Sequence, residues 1–294
     1  MADASPDFVF HLAAQPLVRL SYEEPGETWN TNVNGTVHVL EALRKLDRPC
    51  CAIVVTSDKC YENHETGQAY REGDSLGGFD TYSASKGAVE IAVAAWRRSF
   101  FLKHHVRVAS ARAGNVIGGG DWAADRIVPD CVRAFREAKP VLIRNKNAVR
   151  PWQHVLEPLS GYLWLAASLS TGRWAPSLPQ AASSSAFNFG PAEESNRTVE
   201  DLITEALKHW HGAWIDKTDP TAVHEANLLA LATDKARKEL RWKPVWNFEE
   251  AVYQTIWWYA QQSSGASVRQ ITESQIEQYG ASAASKRLAW ASGA

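Results

Sequence analysis

Short apolar runs alternate with amphipathic stretches through the first third of the chain. Phe8–Ala13, Cys51–Ser57 and Val106–Arg112 are nearly continuous apolar or β-branched segments, the pattern of strands buried on both faces. Between them, Asn30–Leu46 places Val33, Val37, Leu40 and Leu43 on one helical face. Tyr82–Phe101 reads as a long helix with a small or apolar stripe of Ala84, Ala88, Ile91, Ala95 and Trp96. Strands alternating with helices predict βαβ units and a parallel sheet with helices on both faces, an α/β fold.

Beyond Asn115 the alternation loosens. Periodicity predicts helices over Arg126–Ala138, Val155–Leu169, Thr198–His211, Asp234–Leu240 and Phe248–Gln262. Thr198 with Asp201, and Asn247 with Glu250, carry the N-cap spacing with an acid three residues on. Short strands are expected at Val141–Arg144 and Ala186–Phe189, and Ser170–Ser185 reads as a surface loop. From Ser263 the chain is polar and Ala/Ser-rich, and no structure is expected there.

Composition narrows the function classes. With 31 Lys and Arg against 33 Asp and Glu in 294 residues, the net charge is −2, and there is no basic excess for nucleic acid or an anionic membrane. No apolar run approaches the roughly 20 residues that span a bilayer. Met1–Asp7 has the character of no signal peptide, so a cytoplasmic location is expected. Cys50, Cys51, Cys60 and Cys131 lack metal-ligand spacing and read as reduced thiols, and His11, His104, His105 and His154 offer no metal set. The 13 Trp residues read as core and interface material, since no basic groove accompanies them.

Two segments carry chemistry. Tyr82 and Lys86 stand at i and i+4, on one face of a helix. A phenol of pKa near 10 is a poor base at neutral pH, and a nearby ammonium favours its phenolate, so the pair can take a proton from a sugar hydroxyl. The second segment, Thr56-Ser57-Asp58-Lys59-Cys60-Tyr61, leaves the end of the second predicted strand, where open α/β sheets bind ligands.

With these segments in view the chain resembles the extended short-chain dehydrogenase/reductase superfamily, and within it the CDP-glucose 4,6-dehydratases. The resemblance runs from about Asp7 to Tyr259 and rests on Phe10–Gln15, Asn30–Thr36, Thr56–Tyr61, Tyr82–Lys86, Ala111–Trp122, Arg126–Asp130 and Arg150–Val155. Ser-Asp-Lys after the strand and Gly118-Gly119-Gly120-Asp121-Trp122 are its most specific parts, and they separate this group from epimerases. It implies a redox-neutral dehydration with bound NAD that converts CDP-glucose to CDP-4-keto-6-deoxyglucose for deoxysugar biosynthesis. Tyr82, assisted by Lys86 and Ser57, would deprotonate the 4-hydroxyl as hydride leaves C4. Lys59 would act as base at C5 and Asp58 as acid at the departing 6-hydroxyl, although either order is open. Ala13, Ala14, Asn32 and Asn115 would join Tyr82 and Lys86 at the cofactor, while Gln15, Asn115, Arg126 and Arg150 would contact the substrate. A homodimer through Asn30–Leu46 and Tyr82–Phe101 is also implied. The alternatives are another nucleotide-sugar dehydratase or epimerase, or a non-catalytic remnant.

The domain plan that follows has 1–122 as a partial NAD-binding domain of Rossmann type, with 155–172 and 186–190 returning to it. Residues 123–262 would form a smaller, mainly nucleotide-sugar-binding domain, followed by a polar tail over 263–294. The plan is incomplete in one respect. No GxGxxG or GxxGxxG spacing occurs, and Phe8–Ala13 matches the fourth strand of the superfamily, so the glycine-rich pyrophosphate turn is expected to be missing.

Overall fold

The computed structural model describes residues 4–64, 67–171, 186–218 and 229–291; the expected Ser170–Ser185 loop therefore falls almost wholly outside the described residues. The chain opens with β1 (Phe8–His11), then α1 (Val18–Glu23), α2 (Pro25–Trp29), a π-helical turn over Asn30–Asn34 and α3 (Gly35–Leu43). β2 (Cys50–Val55) runs into a 3₁₀ turn at Asp58–Cys60; α4 (Thr81–Trp96) ends in a second π-helical turn, Arg97–Phe101, and leads to β3 (Val106–Arg112). Both long helices expected from periodicity are present, each interrupted by a widened turn. Such insertions favour functional positions.

The first layer of the molecule is a parallel sheet. β1 pairs with β2 and β2 with β3, and β3 in turn pairs with β8 (Ala186–Asn188). Before β8 the chain forms β4 (Val116–Ile117), α5 (Ile127–Arg136), β5 (Val141–Ile143), β6 (Val149–Pro151), β7 (Gln153–His154) and α6 (Leu156–Thr171). After it come β9 (Asn196–Thr198), α7 (Val199–Ala206), β10 (Trp214–Asp216), α8 (Asp234–Glu239), α9 (Phe248–Ser263) and α10 (Val268–Ser285). Alternation on β2 sends Ala52 and Val54 to one side, where Leu40, Leu43, Val89 and Val93 of α3 and α4 close a core. Ile53 faces the other side with Tyr162, Leu165 and Phe187. Ala236, Leu240 and Trp242 belong to that same cluster, so the segment around α8 also returns to the sheet. A second core gathers α5, β5, α7 and α9 around Val132, Phe135, Ile203, Val252 and Ile256.

Two expectations are corrected. The buried face of α4 is Tyr82, Lys86, Val89, Glu90 and Val93, while Ile91 of the expected stripe is 58% exposed. Polar side chains share the inner face, where Glu90 pairs with Arg112 and Tyr82 meets Ser57; of the expected stripe, Trp96 packs against the core while Ile91 looks outward. The tail from Ser263 is not structureless: α10 packs Ile271 into the second core and Tyr279 and Ala283 against Val245 and Trp246. The caps read from sequence do form. Thr198 and Asp201 close a reciprocal box on α7, and Asn247 accepts the Glu250 amide at 2.9 Å. Among the described residues no helix is long and apolar enough to cross a membrane.

The anchor of α10 is Glu157, fully buried in the first turn of α6. Its carboxylate accepts the amides of Val245 and Trp246 at 2.8 and 2.7 Å and the Tyr279 hydroxyl at 2.8 Å. Burial pushes this carboxyl up to about 7, against the pull of those donors and of Lys286. A folded-state value above the unfolded one stabilises at low pH, and that contribution disappears as pH rises through about 7. Urea unfolding at pH 5 and pH 8 is expected to show this loss, up to about 3 kcal/mol, in the wild type. E157Q is expected to lose that part of the pH slope, and an unchanged slope would refute the assignment.

Candidate active site

The carboxyl ends of β2 and β3 meet the start of α4 at one wall of a cavity of about 900 Å³. Past the end of β2 the Thr56 amide still donates to Ala111 (2.9 Å) and the Asp58 amide to Ala113 (3.2 Å), which fixes the exit from the strand. Ser57 then caps the 3₁₀ turn, its Oγ accepting the Lys59 amide at 3.2 Å and donating to Asp58 Oδ1 at 2.9 Å. The far side of the Asp58 carboxyl is held by Asn115 Nδ2 at 3.3 Å. Lys59 lies half-buried on the cavity wall.

Asp80 caps α4 by accepting the Ser83 amide at 2.8 Å, so the helix begins one residue before Tyr82. That start places the Tyr82 phenol in hydrogen-bonding contact with Ser57 and one turn from Lys86, whose Nζ lies 5.9 Å from the Tyr82 ring centre. Burial raises the phenol to about 12, with the Ser57 bond pulling the other way. The groups that pull the phenol down are Ser57 and Arg126, not Lys86 as the sequence led one to expect. Burial also brings Lys86 down to about 8. Asp58 is raised: its complete burial exceeds the opposing pull of Lys59, Ser57 and Arg150. Of the two opposing influences on Asp58, burial is therefore the larger, and it favours the neutral carboxyl over the pull of Lys59.

Asn115 adopts a left-handed backbone (φ 51°), a region that Asn tolerates better than most residues, and its carbonyl accepts the Gln153 amide at 3.3 Å. Gly114 beside it has no room for a side chain, since a Cβ would sit 1.8 Å from Asp58 Oδ2. Arg126 and Arg150 both line the cavity; Arg126 is paired with Asp121 at 2.8 Å, and Arg150 is close enough to act on the Asp58 charge. Sequence reasoning missed Arg19 and Arg144 on the same wall. Asp125 pairs with both, directly with Arg144 and at 3.9 Å with Arg19. Neither arginine belongs to a spaced motif; only the fold brings α1 and the end of β5 together. Away from the charged groups the cavity is lined by Leu142, Ala148, Trp152 and Val199.

On the other flank, Ala13 and Ala14 follow the carboxyl end of β1, Ala13 exposed and Ala14 half-buried. His11, the last residue of β1, feels the Lys86 charge. Asn32 sits in the first π-helical turn, 1% exposed, accepting the Gln15 amide at 2.8 Å and donating to Ser85 Oγ at 2.9 Å. Gln15 itself turns inward: its side chain donates to Leu17 O and Thr28 Oγ1 and accepts the Leu17 amide. It is not on the cavity wall. The Gly118–Gly120 cluster packs on α9, where a Cβ on Gly119 would lie 2.0 Å from the Trp258 ring. Tyr259 donates to the carbonyls of Gly118 and Asp121 at 3.2 and 2.6 Å, which presents the Asp121 carboxylate to Arg126. Among the described residues no group of His, Cys, Asp and Glu could hold a metal ion.

The wall thus carries an acid, an amine and a phenol side by side, with four arginines beyond them. The family model described as GDP-mannose 4,6 dehydratase matches residues 1–255. A protein named CDP-glucose 4,6-dehydratase from Salmonella typhimurium is 43% identical over 288 residues, covering 95% of this chain and 77% of its own. A solved UDP-glucose 4-epimerase superposes with a TM-score of 0.74 at 19% identity, over 89% of this chain and 79% of its own. A dTDP-glucose 4,6-dehydratase from Bacillus anthracis, crystallised with NAD, gives 0.68 at 20% identity, over 87% and 73%. At such identities the two structures speak for the fold alone.

Proposed function

The chain belongs to the GDP-mannose 4,6-dehydratase family, within the extended short-chain dehydrogenases/reductases, and on that premise we propose that it dehydrates CDP-glucose with NAD to CDP-4-keto-6-deoxyglucose. It is a nucleotide-sugar hydro-lyase by family. The choice of cytidine diphosphate rests on the 43% identity with the Salmonella protein. The observation that carries the chemistry is the apposition of Tyr82 with Ser57 and Asp58 on the cavity wall.

A residue can be proposed for each step. Tyr82, once ionised, takes the proton of the sugar 4-hydroxyl, with Ser57 hydrogen-bonded to the phenol oxygen. NAD, when bound, supplies the hydride acceptor for C4 and later the donor for C6. Ala13, Ala14, Asn32, Asn115, Tyr82 and Lys86 would hold its nicotinamide half. The small side chains of Ala13 and Ala14 at the end of β1 suit the close approach of a flat ring. The 4-ketone acidifies the proton at C5, which Lys59 removes from the cavity wall. Asp58, whose burial favours the neutral carboxyl, is the acid for the departing 6-hydroxyl, which leaves as water once protonated. Arg126 and Arg150, joined by Arg19 and Arg144, suit the diphosphate, and the wall of Leu142, Ala148 and Trp152 suits the base. Gln15 acts on the substrate only through the turn it braces.

Ile91 of α4 (58% exposed), with Phe100 in the turn that follows it and Trp29 at the end of α2, presents exposed apolar surface that supports a homodimer through these helices. Four free, buried cysteines favour the cytoplasm. The decisive test pairs NAD titration calorimetry with incubation of CDP-, dTDP-, UDP- and GDP-sugars, scored for a 4-keto-6-deoxy product. NAD binding and preferential turnover of CDP-glucose are expected. Preference for another nucleotide would overturn the substrate, and absence of NAD binding would overturn catalysis by this chain.

A further inference from the structure

One turn beyond Lys86 on α4 lies Glu90, 3% exposed, in a polar cluster that no step above uses. Its carboxylate accepts Thr56 Oγ1 at 2.5 Å, Ser110 Oγ at 2.7 Å and Arg112 at 2.8 Å. Arg112 continues the chain to Tyr61 Oη at 2.7 Å, and Tyr61 to Asn188 Oδ1 at 2.8 Å. The Asn188 amide donates to Glu72 at 2.9 Å, and its side chain to the carbonyls of Tyr70 and Ala232. The cluster therefore ties α4, β2, β3, β8 and the loop before α8 together directly behind the site. Packing there is tight: a Cβ on Gly87 would lie 2.9 Å from the Gly77 carbonyl.

Two of these bonds bear on the chemistry. Thr56 immediately precedes Ser57, so the bond to Glu90 fixes the strand end from which the phenol's partner projects. The groups acting on Lys86 are Cys60 from the 3₁₀ turn and Glu90 from its own helix, with His11 of β1 and Tyr82 close by. Cys60 is buried and its thiol is raised well above the usual range, so it is neutral. Glu90 stays ionised: its carboxyl is held below its ordinary value by Arg112, Thr56 and Ser110 despite burial. It is thus the one negative charge among these neighbours.

We propose that Glu90 is a positioning residue for the Tyr82–Lys86 pair, keeping the Lys86 ammonium charged inside the protein and, through Thr56, holding Ser57 against the phenol. Its action is entirely through other residues, since Arg112 and the two hydroxyls wrap the carboxylate away from the cavity. The proposal rests on the reading of Tyr82 and Lys86 as the oxidising pair.

The test is an NMR titration of the Lys86 ammonium in ¹⁵N-lysine-labelled protein, which reads the group whether or not the chain turns over CDP-glucose. A failed substrate assignment and a failed role for Glu90 are thereby distinguishable. In E90Q the titration midpoint is expected to fall by about one pH unit or more from the wild-type value. T56V and S110A remove hydrogen bonds and no charge, and are expected to lower the melting temperature while leaving the midpoint in place. E90D, which keeps the charge, is expected to restore it. Should E90Q fail to fold because Arg112 is left buried and unpaired, E90Q/R112M removes both charges and is expected to titrate below the wild type as well. A wild-type midpoint in whichever of these two variants folds would overturn the proposal.

Discussion

Replacing Tyr82 by phenylalanine is expected to reduce formation of the 4-keto product by about 10²–10⁴-fold, the range for loss of a positioned proton acceptor. The variant removes one oxygen from a ring that is 7% exposed and otherwise packed, so the fold is expected to persist. Ser57 keeps Asp58 and the Lys59 amide as partners. The loss therefore falls on the oxidation step, seen as the disappearance of the transient reduced-cofactor signal in a single turnover, with KM changed only a few-fold. The wild-type rate is expected to climb with pH as the phenol, raised to about 12, becomes easier to ionise. The climb ends where Lys86 gives up its proton, near 8. Turnover of Y82F within tenfold of the wild type would remove Tyr82 from the chemistry.

The second large effect is expected at Asp58 and falls on a different step. D58N preserves the shape of the side chain and can still meet Ser57 and Asn115, but it has no proton to give. A 6-hydroxyl leaves as water only when protonated, so elimination should slow by about 10²–10⁴-fold while oxidation at C4 continues. The reduced-cofactor signal then accumulates instead of vanishing, the reverse of the Y82F result. In the wild type the elimination is expected to weaken as pH rises through the raised value of Asp58, because burial supports the protonated form only below it. D58N should lack that limb. If both variants abolish the reduced-cofactor signal alike, the division of labour between phenol and carboxyl is wrong.

These two residues were legible from sequence because their signals are local. Tyr82 and Lys86 are related by one helical turn, and Ser57–Asp58–Lys59 by the end of one strand. The arginine wall was only half legible, since Arg19 and Arg144 converge through Asp125, more than a hundred residues from the former. The polar part of α4's inner face was missed for an energetic reason. Glu90 and Lys86 look like a solvated face until Arg112, Ser110 and Thr56 are placed behind them. α10 was missed because its buried positions, Ile271, Gln275, Tyr279 and Ala283, follow a four-residue spacing with two polar members. Gln275 and Tyr279 reach Gln254 and Glu157, so the polar members are satisfied by helices far away in sequence. The fold class needed none of this, as the continuous apolar runs of β2 and β3 announce a buried parallel sheet, whereas β1, expected to be buried on both faces, lies at the sheet edge with Phe8 and Phe10 exposed.

The return of the chain to its sheet at β8, and again at α8, has a consequence for engineering. The layer built on the second core is not one insert but several: β4 to β7, then β9 to β10, then α9, separated by stretches that belong to the sheet core. A chimera that exchanges nucleotide or sugar preference between relatives cannot be made with a single pair of crossover points after Asn115. One cut through the stretch from α6 to Trp242 would leave Leu165, Phe187 and Trp242, which pack on one another, drawn from different parents. Recombination libraries that keep α6, β8 and α8 from one parent, and exchange β4–β7, β9–β10 and α9 together, are the ones expected to yield folded hybrids.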